Sequence, residues 1–253
     1  MRVELFQISV NPDDISSNMS KIEACIAQST ADLLVFPEAC TTGFPYRRLA
    51  EVSRLNSTFL DRILQKQKAN PDDRSVIVLP LLIQDANRFY NRQFLISGGT
   101  IGATYDKIHL IGVLGEDRFL TAGENMVSTK TREFQAGLAT CYDLRFPELF
   151  RKLVATGVNL FIIPAMWPME RASHLKILAR ARAIENLSYV IVCNATGRCG
   201  ALTLCGDSII VNPKGEVLGE AFAEEMQLTA DLNLEIMQEW RTSFPVLNDM
   251  RLL

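Results

Sequence analysis

Apolar residues along this chain switch between two rhythms. Val3 to Val10 alternates only in part and is apolar enough for a strand covered on both faces. From Ile15 to Ala27 the spacing turns helical, through Ile15, Met19, Ile22 and Ile26, with Asp14 placed to cap. Leu33-Leu34-Val35-Phe36 is again a continuous apolar run, stopped by Pro37. Leu49 to Gln67 predicts a long helix that Asn70-Pro71-Asp72-Asp73 breaks. Ser75 to Ile83, Phe89 to Ser97 and Thr100 to Lys107 predict strands, the last two joined at Gly98-Gly99. Tight turns between consecutive strands imply antiparallel pairs inside an alternation of strand and helix.

The second half repeats the alternation after an irregular stretch, Ile111 to Glu124. Leu138-Ala139-Thr140 predicts a strand that stops at Cys141, and Pro147 opens a helix that runs through Phe150 to Thr156. Asn159 to Ile163 predicts a strand, Pro164 to Pro168 a loop, Glu170 to Leu187 a helix and Tyr189 to Cys193 another strand. Ala201 to Val211, Glu216 to Phe222 and Met226 to Asp231 follow as strands, with Asn212-Pro213-Lys214-Gly215 as a hairpin turn. A short helix, Leu234 to Trp240, precedes the tail Arg241 to Leu253. Repeats and linkers are absent, so the expectation is an α/β protein with one domain over residues 1–253.

Composition narrows the partners. Hydrophobic residues make up 48% and charged residues 22%, with a net charge of only −3, so no imbalance points to nucleic acid or membrane and a small molecule is the expected ligand. The apolar start, Val3 onward, is too short for a membrane span and has no small-residue cleavage site. Six cysteines are scattered through apolar stretches and loops with no secretory signal ahead of them, which predicts a reduced, cytoplasmic protein. Cys193, Cys199 and Cys205 match no CxxC-type metal spacing, and no metal is expected. With only His109 and His174, a Ser-His-Asp triad or a histidine-rich zinc site would have to use one of these two.

Three residues stand where chemistry is done. Cys141 falls at a strand-to-helix elbow, a turn that lifts a short side chain off the sheet and aims N–H groups at whatever the sulfur attacks. The alternative is a buried structural cysteine. Glu38 follows the carboxyl end of its strand, the edge of an open α/β sheet where ligands bind, or else it is a helix cap or a surface ion pair. Lys107 ends the strand Thr100 to Lys107 and is either a solvated charge or part of a site.

Phe36-Pro37-Glu38, Tyr105-Asp106-Lys107-Ile108-His109-Leu110 and Cys141-Tyr142-Asp143-Leu144-Arg145-Phe146-Pro147-Glu148 resemble, in order, the Glu, Lys and Cys blocks of the nitrilase, or carbon–nitrogen hydrolase, superfamily. Ala181-Arg182-Ala183-Ile184-Glu185-Asn186, Gly206-Asp207-Ser208 and Asn212-Pro213-Lys214-Gly215 extend the resemblance over nearly the whole chain. It implies a four-layer α-β-β-α sandwich and hydrolysis of an amide or nitrile without metal or cofactor. Cys141 would be the nucleophile of a thioester mechanism and Glu38 its base. Lys107 and the backbone N–H of Tyr142 would hold the oxyanion. Glu116 is similar to an additional carboxylate of the family that orients Lys107 or the substrate; a loop salt bridge is the alternative.

Trp167-Pro168, Arg171 and His174 ahead of the Ala-Arg-Ala-Ile-Glu-Asn helix resemble the ω-amidase branch, which hydrolyses the terminal amide of 2-oxo acids. Leu175 stands where that branch has Trp after the helix His. Phe44 and Trp167 are candidate pocket walls or, equally, core aromatics. Arg145 is placed to reach a substrate carboxylate, or to pair with Glu148 or Asp143. His174 reads as structural, and Arg180, Arg182 and Glu185 read as ion pairs along one helix. N-carbamoyl compounds, deaminated glutathione and nitriles remain alternative substrates, and an inactive scaffold is the alternative of another class. The apolar tail, residues 241–253, needs a cover, and related enzymes use such tails between subunits, so a homodimer or higher homo-oligomer is expected.

Overall fold

The computed structural model describes residues 1–252; Leu253, the end of the expected tail, lies outside the described residues. Its first half runs β1 (Arg2–Gln7), α1 (Ile15–Gln28), β2 (Leu33–Val35), α2 (Leu49–Ala69), β3 (Val76–Asp85), β4 (Arg88–Ser97) and β5 (Thr100–Asp106). Its second half runs β6 (Ser128–Thr131), β7 (Phe134–Leu138), α3 (Pro147–Ala155), β8 (Leu160–Ala165), α4 (Ala172–Asn186), β9 (Tyr189–Asn194), β10 (Thr196–Cys199), β11 (Leu202–Cys205), β12 (Ile209–Val211), β13 (Val217–Glu220), β14 (Met226–Asp231) and α5 (Leu234–Ser243).

Two six-stranded sheets result, in the orders β14-β1-β2-β3-β4-β5 and β13-β12-β9-β8-β7-β6. Each has the same plan. Three parallel strands, β1-β2-β3 or β7-β8-β9, are crossed over by two helices, two antiparallel strands extend one side and one antiparallel strand closes the other. Helices α1 and α2 cover the first sheet, α3 and α4 the second, and the bare faces pack on each other.

Alternation along each strand builds these layers. Leu33 and Val35 of β2 face the second sheet while Leu34 faces α1 and α2. Likewise Leu160 and Ile162 of β8 face the first sheet, and Phe161 and Ile163 face α3 and α4. Because both faces of the central strands are buried, the sequence there is a continuous apolar run rather than an alternating one. The expected four-layer α-β-β-α sandwich is the observed architecture. Helix α1 is anchored as expected, with Ile15, Met19 and Ile22 buried and the Asp14 carboxylate accepting from the Ser17 N–H at 2.9 Å.

Several boundaries differ. The strand expected over Ala201 to Val211 is two strands in different sheets, β11 paired with β10 and β12 paired with β9. Gly206 and Asp207 turn the chain between them, at φ 66° and 54°. The strand before Cys141 stops at Leu138, and Ala139-Thr140 continues extended without a full ladder. Helix α5 runs on to Ser243, so Arg241 belongs to it rather than to the tail. Its guanidinium donates to the carbonyls of Leu187 at 2.9 Å and Val158 at 3.0 Å, beneath the second sheet's helices. Leu247 and Met250 of the tail pack against the α3–α4 layer, so this chain itself covers part of that segment.

The corner at Gly206 admits no side chain: a Cβ there would lie 2.3 Å from the Phe222 carbonyl oxygen and 2.7 Å from Gln7 Nε2. Gly206→Ala is expected to lower stability by about 2 kcal/mol or more, from left-handed strain plus the backbone clash. Denaturant unfolding with an unchanged midpoint would contradict this account of the corner.

Candidate active site

The carboxyl ends of β2, β5, β7 and β8 meet at one end of the sandwich. Glu38 leaves β2 through the extended Phe36-Pro37 and points inward because Ala39 turns the chain at φ 45°. Its Oε1 accepts from Lys107 Nζ at 2.8 Å and from Asn91 Nδ2 at 2.7 Å, and its Oε2 accepts from the Met166 N–H at 3.0 Å. Lys107 Nζ also lies 3.0 Å from each oxygen of Glu116, whose Oε2 accepts from the Ile111 N–H at 2.8 Å. Glu38 is fully buried, and Lys107 and Glu116 are each 1% exposed, so one ammonium is held between two carboxylates out of water. Two donors occupy Oε1 of Glu38 and one occupies Oε2, which leaves Oε2 the oxygen with room for a further proton.

Cys141 begins a 3₁₀ turn, Cys141–Arg145, at φ 47°, a left-handed conformation unusual for a residue with a side chain. The turn is held from three directions. The Asp143 carboxylate accepts from the Thr140 N–H at 2.8 Å, Gln93 Nε2 donates to the Ala139 carbonyl at 2.6 Å, and Arg182 donates from Nε and a terminal nitrogen to the Leu144 carbonyl at 3.1 and 2.9 Å. As the second residue of the turn, Tyr142 has an N–H without a partner inside it. Cys141 is 3% exposed. Burial raises its pKa well above the ordinary thiol value, the Glu38 charge raises it further, and Lys107 opposes both. Burial disfavours the Lys107 ammonium, but Glu38 and Glu116 outweigh it and the lysine is charged. Burial also pushes the Glu116 carboxyl up, against the pull of Lys107. The resting cluster is therefore a neutral thiol beside a buried, paired ammonium.

A cavity of about 330 Å³ opens on Cys141, Glu38, Lys107 and Glu116. The expected walls Phe44 and Trp167 line it, as do Tyr142 and Arg145, so the residues expected at the site all reach one cavity. The Arg145 guanidinium stacks over the Trp167 ring, 4.6 Å from its centroid, and its terminal nitrogens lie 3.4 and 3.5 Å from His174 Nδ1. Neither pairing alternative for Arg145 is realised: Asp143 is occupied behind the turn, and among the described residues no carboxylate lies within ion-pair reach of Arg145. Burial and the neighbouring Arg171 lower its pKa.

His174 and Arg171 line the cavity too, and the structural reading of His174 overlooked this. Their spacing of three places them on one face at the start of α4, which was the available signal. Asn91 was also overlooked. A buried Asn and a buried Gln93 two residues apart in an apolar strand mark one face as polar. Of the expected ion pairs on α4, Arg182 meets Glu185 at 3.0 Å, whereas Arg180 donates to the Gly215 carbonyl. A larger cleft of about 500 Å³ lies between α1, α2 and the loop before β3, and four of the charged residues lining it are paired with each other, Arg132 with Asp32 at 3.0 Å and Lys66 with Glu23 at 3.2 Å.

Comparison with known proteins agrees with this geometry. The carbon-nitrogen hydrolase family model matches residues 2–242. A 2-oxoglutaramate amidase of Paenarthrobacter nicotinovorans is 38% identical over 94% of this chain and 84% of its own length. The crystal structure of a CN-hydrolase superfamily protein from Xanthomonas campestris, with an arsenic adduct in its active site, superposes with a TM-score of 0.91 at 25% identity, covering 100% of this chain and 98% of that one. A Glu-to-Gln mutant of the amidase from Nesterenkonia sp. AN1, carrying the acetamide moiety of fluoroacetamide covalently on its active-site cysteine, superposes at 0.84 with 28% identity, covering 97% and 95%.

The electrostatics yield a titration with a defined sign. Glu38 disfavours the Cys141 thiolate, so Glu38→Gln should lower the Cys141 pKa. Ultraviolet thiolate absorbance, read as the difference from Cys141→Ala across a pH titration, measures it. An unchanged or higher pKa would mean that Glu38 does not act on the sulfur.

Proposed function

We propose that this chain, which belongs to the carbon–nitrogen hydrolase family, hydrolyses the terminal amide of a small carboxylated or 2-oxo acid through a thioester on Cys141. The observation that carries this reading is the buried Glu38–Lys107–Glu116 cluster facing a cysteine at an elbow, in a cavity that also holds an arginine with no carboxylate partner among the described residues.

In this mechanism the resting thiol is neutral and Glu38 Oε2 takes its proton as the sulfur attacks the amide carbon. Negative charge that leaves Glu38 reappears on the substrate oxygen, where Lys107 and the Tyr142 N–H receive it. Glu38 then gives the proton to the departing ammonia, leaving the thioester. It next takes a proton from the attacking water. Collapse of the second tetrahedral intermediate expels the sulfur, which recovers that proton, and releases the acid. Glu116 keeps Lys107 charged and oriented, and Asn91 holds Oε1 of Glu38 so that Oε2 does the proton transfer.

Arg145 supports an anionic substrate. It is partly buried on Trp167 beside Arg171, and a carboxylate or 2-oxo group would relieve both its desolvation and its repulsion from Arg171. The similarity to a 2-oxoglutaramate amidase points the same way. We place the protein in the cytoplasm, where a thiol nucleophile among six unpaired cysteines stays reduced; among the described residues no helix is long and apolar enough to cross a membrane. A homodimer completes the reading: Ile184 on α4 and Phe244 after α5 are each 49% exposed on a surface joined by Gly215, Lys214 and Trp240.

Cys141→Ala is expected to fold and to lose at least about a thousandfold in turnover, with the parent showing an acyl adduct on Cys141 by mass spectrometry. Activity of Cys141→Ala within about tenfold of the parent would remove the sulfur from the mechanism. Losing a hydrogen bond to a charged group costs about 1.5–3 kcal/mol, so Arg145→Lys should lower kcat/KM on 2-oxoglutaramate and succinamate about ten- to a hundredfold and spare neutral amides. Equal losses on both classes would assign Arg145 to holding the turn. Light scattering at micromolar concentration should give a dimer that Phe244→Asp splits with its far-ultraviolet circular dichroism unchanged; a monomeric parent would dismiss the interface.

A further inference from the structure

Lys107 and Cys141 follow strands of different sheets, and among the described residues no strand ladder joins the two six-stranded sheets. Face-to-face sheets are spaced by apolar side chains, about 10 Å apart, and such packing has no directional bonds to fix one edge against the other. Strand β5, which delivers Lys107, is moreover an edge strand bonded only to β4. A reacting constellation has to be held to within about 0.5 Å, so something besides the core must set the separation of the ammonium and the sulfur.

Gln93 of β4 crosses that gap to the Ala139 carbonyl at 2.6 Å and Thr140 Oγ1 at 2.7 Å, and one carboxylate crosses it to the residues beside Lys107 itself. Asp143, fully buried and two residues past Cys141, accepts four hydrogen bonds. Its Oδ2 takes the Tyr105 hydroxyl at 2.7 Å and the Thr140 N–H at 2.8 Å; its Oδ1 takes the His109 N–H at 2.9 Å and His109 Nδ1 at 2.7 Å. Thr140 is the residue immediately before the nucleophile. Tyr105 and His109 flank Lys107, two residues on either side. The acceptor sites of the carboxylate are thus divided between the chain around Cys141 and the chain around Lys107, and none is left over. Phe146, at the end of the Cys141 turn, stacks on the His109 ring with centroids 3.6 Å apart and closes the arrangement. His109 lies behind the turn and does not line the cavity, so it is not placed to take a proton from the sulfur.

We infer that Asp143, Tyr105 and His109 form a brace between the two sheets that fixes Lys107 against Cys141, and that they are positioning residues for the reaction. The left-handed backbone at Cys141 adds to the need, because a strained elbow persists only where its surroundings hold it. Nδ1 of His109 carries the proton in this arrangement, since the carboxylate oxygen can only accept. The inference rests on the roles proposed for Lys107 and Cys141.

The test compares the parent enzyme, Cys141→Ala, Tyr105→Phe, His109→Leu and His109→Asn in one ammonia-release assay, together with the pH profile of Cys141 alkylation by iodoacetamide. Tyr105→Phe and His109→Leu should each lower kcat about tenfold or more while KM stays within about twofold, and should shift the alkylation profile. His109→Asn returns an N–H donor close to the place of Nδ1 and should recover most of the loss. Tyr105→Phe changes the core by one oxygen and keeps the test valid if a His109 variant does not fold. The brace is overturned if Cys141→Ala is inactive yet Tyr105→Phe keeps the parent's kcat and alkylation profile, or if His109→Leu and His109→Asn lose kcat equally. Retained turnover in Cys141→Ala would instead overturn the proposed mechanism, and the brace with it.

Discussion

Burying the ammonium of Lys107 is the constraint from which the site follows. An unpaired charge in such a place costs several kcal/mol, so the fold must supply counter-charge where the lysine is delivered. It supplies two carboxylates, Glu38 from the end of β2 and Glu116 from the loop after β5, and so leaves the cluster one negative charge in excess. Burial raises the pKa of the neighbouring sulfur, and the Glu38 charge adds to it against Lys107. The excess charge fixes the form of the proposed chemistry: passing the thiol proton to Glu38 conserves the total charge and moves the negative charge from a carboxylate to the reacting atoms, around an ammonium that never leaves. A protein environment fixed in advance, rather than water that must reorganise, then stabilises each position of that charge.

The architecture explains why these groups can meet. Two sheets of equivalent plan pack face to face so that their parallel strands end together, and chain reversals there are free of ladder bonds. The backbone carries its unusual conformations at the same edge, with positive φ at Ala39 and Cys141. Neither residue pays for that alone. Thr42 and Gly43 N–H groups close the turn on the Ala39 carbonyl at 3.1 and 2.9 Å, while Asp143, Gln93 and Arg182 hold the turn at Cys141.

The strands buried on both faces were the most legible parts of the sequence, because Leu33 to Val35 and Leu160 to Ile163 have no polar position to confuse them. Short strands with little apolar content were not legible. Ser128–Thr131 forms β6 at a sheet edge, where a partner on one side suffices, and Thr196–Cys199 forms β10 only by pairing with β11. Ala201 to Val211 looked continuous because its apolar pattern runs across Gly206, whereas the backbone conformation of one glycine redirects it. Glu38, Lys107 and Cys141 could be placed together through resemblance to known blocks. The hydrogen-bond partners could not, since Asn91, Gln93 and Asp143 come from positions whose convergence depends on how the two sheets stack. Arg145 shows the limit clearly: Asp143 is its near neighbour in sequence, but the carboxylate faces the opposite side of the turn.

That division of labour on the Cys141 turn bears on specificity. The turn presents Asp143 inward, toward the core, and Arg145 outward, toward the cavity, so the anion that could have neutralised the guanidinium is committed elsewhere. Arg145 is left on the Trp167 face, partly desolvated and repelled by Arg171, with only the weakly accepting His174 ring nearby. A guanidinium held partly out of water beside a second one is electrostatically unfavourable, and an anionic substrate relieves it where a neutral amide does not. At the opposite pole Glu38 and Glu116 leave an excess negative charge, which disfavours a carboxylate placed next to the sulfur. A substrate with an uncharged amide at one end and an anion at the other matches both poles in only one orientation, the one that brings the amide carbon to Cys141.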